Sequence, residues 1–292
     1  MRNFTFVTAQ SLSEAVSVLA SAGPTGRPLA GGTDILVQMR EGRRVIDTLV
    51  DVKKIPEVNV LSYSPGAGLR LGAAVPCYRI YEDPHVQRYY PALVDCTSLV
   101  GSIGIQGRAT VGGNLCTSSP AADTIPALIA LGATCRIVGP HGERSVPVEQ
   151  FCTGPGRNQL QTGELLVEVN IPEPAPHSGA YSLRFIPRNE MDIAVVNAAA
   201  QIQLDSSGER ILTGRVAIGA VAPTPLFIEE AQALLKSAPP SEETYERVAQ
   251  AAQRAAVPIS DMRGTKEQRY HLVGVLVKRA LRGAVERARS NS

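Results

Sequence analysis

Polar and apolar positions alternate with two periods along this chain, and the switches between them outline its elements. Ser11 followed by Glu14 is a capping-box pattern, and Leu12, Ala15, Val16, Leu19 and Ala20 recur behind it at helical spacing. One face of that first helix is therefore expected to be buried. A short strand at 28–30 runs into Gly31, Gly32, Thr33 and Asp34, and the apolar run 35–39 predicts a second helix. Residues 48–52 predict the next strand, so the opening stretch has the rhythm of a small α/β unit.

After Lys53 the period changes. Val58 and Val60 alternate with polar residues, 64–68 is a turn rich in glycine, and Leu69 and Leu71 resume the alternation, which predicts a hairpin. A helix near 92–100 leads through Gly101 and Gly104 to Thr110, Val111, Gly112, Gly113 and Asn114. A buried helix is expected at 120–132, strands at 133–138 and 144–148 around a turn at 139–142, and another strand at 164–171. Pro172, Pro174 and Pro176 mark a boundary. Three strands (179–186, 194–204 and 211–220) and three helices, starting at Pro225, Ser241 and Thr265, complete the pattern. The expected class is α+β: two α/β units, 1–57 and 58–176, followed by an antiparallel sheet with helices at 177–292.

Composition narrows the function. The chain has 292 residues, 44% hydrophobic and 19% charged, which is globular and long enough for more than one unit. A net charge of +2 supplies no field for nucleic acid. The start of the chain has no apolar signal region, and no run approaches the ~18 apolar residues of a membrane span, so an integral membrane protein is not expected. Cys77, Cys96, Cys116, Cys135 and Cys152 are dispersed, with no CxxC, zinc or iron–sulfur spacing, which points to a reducing, cytoplasmic setting. The four histidines are equally scattered, and no metal site is expected in this chain.

Two glycine pairs carry the chemical signal. Gly31 and Gly32 lie between a strand and a helix, where bare backbone N–H groups and a helix start form an anion site suited to a diphosphate. Gly112 and Gly113 repeat the arrangement, with Asp123 just inside the next helical region. A carboxylate there disfavours phosphate; it either caps the helix or accepts hydrogen bonds from ligand hydroxyls. A glycine pair is also an ordinary tight turn, and neither GxGxxG nor GxxxxGK[ST] is present. These residues alone do not choose among dinucleotides.

The segment Pro28-Leu-Ala-Gly-Gly-Thr-Asp-Ile35 together with Gln106-Gly-Arg-Ala-Thr-Val-Gly-Gly-Asn-Leu-Cys-Thr-Ser-Ser-Pro-Ala-Ala-Asp-Thr124 resembles the FAD-binding medium subunit of molybdenum hydroxylases. That family includes subunits of aerobic CO dehydrogenases and N-heterocycle dehydrogenases, and the flavin domain of xanthine dehydrogenase. The resemblance continues through 185–194, 219–225 and 261–265. It implies two FAD-binding subdomains of the PCMH type and a C-terminal three-stranded domain. It places the FAD diphosphate over Leu29, Ala30, Gly31, Gly32, Thr33, Asp34 and Ile35, with Thr110, Gly112, Gly113 and Asn114 as the second wall. Asp123 would hold FAD hydroxyls, and 188–193, including Ile193, would approach the isoalloxazine.

The chain departs from the pattern of that family in three places. CO dehydrogenase members tend to read Ala-Gly-Gly-His-Ser at 30–34 and carry an aromatic residue in place of Ile193. The 4-hydroxybenzoyl-CoA reductase branch inserts a cysteine-bearing segment, whereas here only Cys116 lies between Leu115 and Asp123, so that extra cluster is not expected.

The same resemblance implies an oxidoreductase subunit that passes electrons. A large partner would hold the molybdopterin cofactor, a small partner two [2Fe–2S] clusters, and the whole would be a dimer of heterotrimers. The cofactor carries the chemistry, so no catalytic acid or base is assigned. Arg184 and Arg188 either stabilise reduced flavin or are surface strand charges. Cys116 reads as a buried structural thiol and His271 as a surface or packing residue. The basic tail Lys278, Arg279, Arg282, Arg287 and Arg289 reads as a solvated helix face or a partner contact. Two rival functions are a stand-alone FAD-dependent reductase and a nucleotide-binding regulatory protein without turnover.

Overall fold

A computed structural model describes residues 3–291. The first unit contains β1 (Thr5–Thr8), α1 (Leu12–Ala22), β2 (Gly26–Leu29), α2 (Ile35–Arg40) and β3 (Thr48–Asp51). Its three strands are parallel in the order β1-β3-β2, which leaves β2 at an edge. Ser11 caps α1 by accepting from the Glu14 N–H, as the sequence predicts, while the Glu14 carboxylate returns to the N–H of Gln10 at 2.7 Å.

The middle unit opens with the hairpin β4 (Leu61–Ser64) and β5 (Gly68–Gly72). A run of short helices follows: α3 (Cys77–Glu82), α4 (Pro84–Tyr89), α5 (Pro91–Thr97), α6 (Ile103–Gln106), α7 (Val111–Thr117) and α8 (Ile125–Ala130). Then come β6 (Thr134–Gly139), β7 (Gly142–Pro147), α9 (Val148–Phe151), the small pair β8 (Cys152–Gly154) and β9 (Arg157–Asn158), and β10 (Leu165–Ile171). The main sheet is antiparallel, in the order β4-β5-β10-β6-β7. Its core includes Leu69, Leu71, Tyr90, Leu93, Leu115, Leu128 and Phe151. Each such side chain contributes roughly 1.5–3 kcal/mol on leaving water.

The third unit contains β11 (Ser178–Phe185), β12 (Val196–Leu204), β13 (Ile211–Gly219) and β14 (Leu226–Phe227), then α10 (Glu229–Leu235), α11 (Glu242–Ala255) and α12 (Lys266–Ser290). The antiparallel sheet runs β11-β12-β13-β14, one strand more than the expected three. Leu226 and Phe227 pair with Ile218 and Ala217, so the helix expected from Pro225 begins only at Glu229. The helix expected over 120–132 is likewise shorter, because 120–124 form a turn ahead of Ile125–Ala130. α12 packs on β11 and β12 through Val273, Leu276, Val277, Ala280 and Leu281.

Contacts on both sides of the middle unit brace the three together. Beneath the first and middle units runs a shared core of Ala15, Leu19, Val50, Val52, Val58, Ala74, Leu165 and Val167. Between the middle and third units, Arg287 on α12 forks onto Asp95 of α5 at 2.6 and 2.8 Å, donates to the Ala180 carbonyl and lies over the Tyr181 ring. Arg287 is therefore an internal clamp rather than part of a solvated helix face. Lys278 and Arg282 pair with Glu246 and Glu242 on the surface of α11.

Candidate functional site

The edge strand β2 and the start of α7 face each other across a cleft of about 750 Å³. Ala30, Gly31, Gly32, Thr33, Asp34 and Ile35 line one wall, and Thr110, Gly112, Gly113 and Asn114 line the other. The two motifs, 75 to 84 positions apart in sequence, are thus brought together. Leu29 does not line the cleft; its side chain packs with Met39, Ile46 and Leu49 in a small core of the first unit.

The two glycine pairs work differently. Gly32 has φ +82°, which favours glycine, and an added Cβ would stand 3.0 Å from Leu29 and 3.3 Å from Leu36. Gly112 and Gly113 have no positive φ; they form the first turn of α7, so the expected turn there is a helix start. Gly112 is needed for close packing, since a Cβ would lie 2.5 Å from the Ala73 carbonyl oxygen. Thr110 caps α7 by accepting from the Gly113 N–H at 2.9 Å, and the earlier N–H groups of the turn face outward as at any helix start.

Side chains tie the walls in place. Asp34 accepts from Gln38 on its own wall and from Thr117 Oγ1 on the other at 3.3 Å. Asn114 Oδ1 accepts from Thr124 N and Oγ1 at 3.3 and 2.7 Å, which fixes the turn carrying Asp123. Asn158 donates to the Cys116 carbonyl at 2.8 Å and so anchors the β8–β9 pair to α7. At the narrowest place, a Cβ on Gly31 would fall 2.1 Å from the Arg108 carbonyl oxygen and 3.2 Å from Ala109 Cα.

Sequence reasoning missed the outer end of the cleft. Leu19, Val52, Leu160, Leu165 and Leu166 give it an apolar floor, and Arg27, Arg44, Gln161 and Glu164 give it polar edges. Burial and the neighbouring Arg44 charge lower the Arg27 pKa. The signal available was slight: Gly163, with φ +84°, marks a turn before β10 but says nothing of a ligand.

Asp123 and Ile193 lie outside the cleft lining. Asp123 sits in the turn before α8, not in a helix, and meets Arg184 of β11 with Oδ1 2.8 Å from Nη1. Arg184 is therefore a buried ion-pair partner rather than a surface charge. Burial lifts the Asp123 carboxyl above the ordinary aspartate range, with Arg184 opposing. Asp123 Oδ1 is held by this ion pair, while Arg184 Nε is buried without a hydrogen bond. Ile193 is half exposed, in the irregular stretch between β11 and β12, and Arg188 nearby is an exposed partner of Asp192. Cys116 lines the cleft with its thiol pushed up to about 12, first by burial and then by Cys152. It is not a poised nucleophile.

These residues fit FAD. The volume lies in the upper part of the roughly 300–1,000 Å³ usual for cofactor sites. Bare backbone at Gly32 and a helix start at Thr110 suit a diphosphate, and the apolar part of the lining suits a flat base. Fold and cleft together define a dinucleotide-binding protein of the α+β class.

Comparison with known proteins supplies the family. Residues 2–174 match the FAD binding domain in molybdopterin dehydrogenase, and residues 181–284 the CO dehydrogenase flavoprotein C-terminal domain. The chain belongs to the FAD-binding medium subunits of molybdenum hydroxylases. It is 32% identical over 281 residues to the xanthine dehydrogenase FAD-binding subunit of Escherichia coli O157:H7, covering 96% of this chain and 95% of that one. The carbon monoxide dehydrogenase medium chain of Afipia carboxidovorans is 29% identical over 289 residues, 99% of each chain. In structure, a chain of the carbon monoxide dehydrogenase from Hydrogenophaga pseudoflava that lacks the Mo-pyranopterin moiety matches with TM-score 0.93 and 29% identity over 98% of both chains. FAD is thus the cofactor of this chain, and the chain is a component of an oxidoreductase. Among the described residues no helix is long and apolar enough to cross a membrane.

Proposed function

We propose that this chain is the electron-transfer flavoprotein subunit of a cytoplasmic, multi-subunit molybdenum hydroxylase. A large partner holds the molybdopterin cofactor and oxidises the substrate, and a small partner carries [2Fe–2S] clusters that deliver electrons to this chain. An external acceptor takes them away. The observation that carries the reading is the cleft in which both glycine motifs face each other. The absence of any cysteine cluster spacing in the sequence agrees with clusters held elsewhere.

Bound FAD supplies the redox chemistry, since flavin accepts electrons singly and releases them one or two at a time. The residues of the chain bind and orient it. Ala30, Gly31, Gly32, Thr33, Asp34 and Ile35 would hold the diphosphate from one side, with Leu29 fixing the strand beneath, and Thr110, Gly112, Gly113 and Asn114 would hold it from the other. Leu160 and Leu166 would cover the adenine end. Asp123, paired with Arg184, would hold FAD hydroxyls, and residues 188–193, including Ile193, would approach the isoalloxazine. None of these residues acts as a proton donor or acceptor in the reading.

Substrate choice belongs to the large partner, in keeping with relatives named for xanthine and for carbon monoxide. The test is a titration of the purified chain with FAD, FMN and NAD, followed by flavin absorbance and fluorescence. Selective FAD binding near one per chain, with photoreduction of the bound cofactor, is the expected result. Selective binding of a colourless nucleotide would instead support a regulatory protein.

A further inference from the structure

One stretch of the cleft wall is built differently from the rest. Residues 100–109 join α5 to α7, and their two ends, Val100 and Ala109, line the cleft. Gly101, Gly104 and Gly107 punctuate them. Gly101 has φ +58°, and a Cβ there would lie 2.9 Å from the Ile105 side chain, so this bend requires glycine. The tip is the single turn α6, whose Ile103 is 84% exposed. Few contacts hold it: Gln106 Nε2 donates to the Ser98 carbonyl at 2.8 Å, and Ile105 rests on a small cluster of Cys77, Val100 and Ala109.

The far end of this stretch reaches across to the first unit. Arg108 Nε donates to the Gly31 carbonyl at 3.4 Å, a long bond, and the missing side chain of Gly31 lets the two backbones touch. The two units therefore meet beside the cleft, next to its lining residues Gly31, Val100 and Ala109, at a contact made of one long hydrogen bond and bare backbone.

We propose that residues 101–108 form a lid that gates exchange of FAD. The proposal rests on the cleft being the FAD site. Opening breaks the Gly31–Arg108 contact and turns at the glycines, while Val100 and Ala109 stay anchored. A segment with so few buried contacts belongs to the low-stability end of a fold. Lid opening precedes both entry and escape of the cofactor, so its ease sets both rates and leaves their ratio unchanged.

Stopped-flow fluorescence of FAD binding and release on the full chain tests this with two opposite variants. Gly104 and Gly107 have no positive φ, and an added Cβ meets nothing nearer than Ser102 Oγ at 4.0 Å. The double variant Gly104→Ala/Gly107→Ala stiffens the lid without a clash, and both rates should fall by about fivefold or more with Kd unchanged. Arg108→Ala loosens the tie, and both rates should rise. Rates within about twofold of wild type in both variants, each still binding one FAD per chain, would overturn the lid. Failure of the wild-type chain to bind FAD at this cleft would overturn the site reading instead.

Discussion

Arg184 and Asp123 meet across the seam between the third unit and the middle unit, 2.8 Å apart, with side chains 5% and 15% exposed. Removing one member leaves the other charge buried alone, so Arg184→Met should cost roughly 3 kcal/mol, and Arg184→Met/Asp123→Asn should recover part of it. Urea unfolding of the set decides the matter; equal stabilities for the single and double variants would show that the pair is not coupled.

The same carboxyl gives a pH dependence. Its folded pKa is raised, so the native state takes up a proton before the unfolded chain does. Stability contributed through Asp123 therefore rises as pH falls through the raised value, and the gain is complete below the ordinary aspartate value of about 3.9. Wild type should gain on Asp123→Asn over that window in urea midpoints.

Glu164 behaves in the opposite sense. Arg144 grips its carboxylate with two bonds of 2.7 and 2.8 Å, and this hydrogen bonding holds its pKa below the ordinary glutamate range. The pair's contribution is present above about pH 4.3 and is lost as pH falls through the depressed value. Because Arg144 is one-third exposed and screened by salt, the difference between wild type and Glu164→Gln should be only about 1 kcal/mol at neutral pH and should close on acidification.

At Gly32 the cleft is lined by backbone with no side chain in front of it. Forcing a β-branched residue to φ +82° costs at least the roughly 1–2 kcal/mol of left-handed strain, and Leu29 and Leu36 crowd the new side chain. Gly32→Val should bind FAD at least about tenfold more weakly. Equilibrium titration of a variant with wild-type circular dichroism reads this directly, and unaltered affinity would remove Gly32 from the site.

Arg287 tests the brace away from the cleft lining. Arg287→Ala loses the fork to Asp95, the bond to the Ala180 carbonyl and the contact with the Tyr181 ring, for an expected loss of roughly 2–3 kcal/mol. FAD affinity at 25 °C should not change, since none of these groups lines the cleft.

Much of this was legible because local rules decided it. The alternation at Leu69 and Leu71, the turn before it and the Ser11 cap are set by neighbours in sequence, and they appear where the pattern puts them. The glycine motifs were visible as bare backbone between elements, although sequence could not tell the left-handed turn at Gly32 from the helical turn at Gly113. Non-local pairing hid the rest. Leu226 and Phe227 become a strand only because β13 offers an edge, and Arg184 becomes internal only because β11 is laid against the turn at Asp123. Leu160 and Leu166 carry no polar signal; they join the cleft through the path of the chain into β10.

The position of β10 bears on the order of events as the chain is made. It is the last strand of its sheet to be synthesised, yet it lies between β5 and β6, and the Arg70–Glu168 bond that ties it to β5 spans 98 positions. Such a sheet cannot close on a partial chain, because its central strand is still missing. Both glycine motifs emerge from the ribosome well before the wall at Gln161–Leu166 exists. With FAD held in this cleft, flavin loading is expected to follow completion of the middle unit rather than to nucleate its folding. Stalled nascent chains ending before β10 should retain no FAD, and those extended past it should.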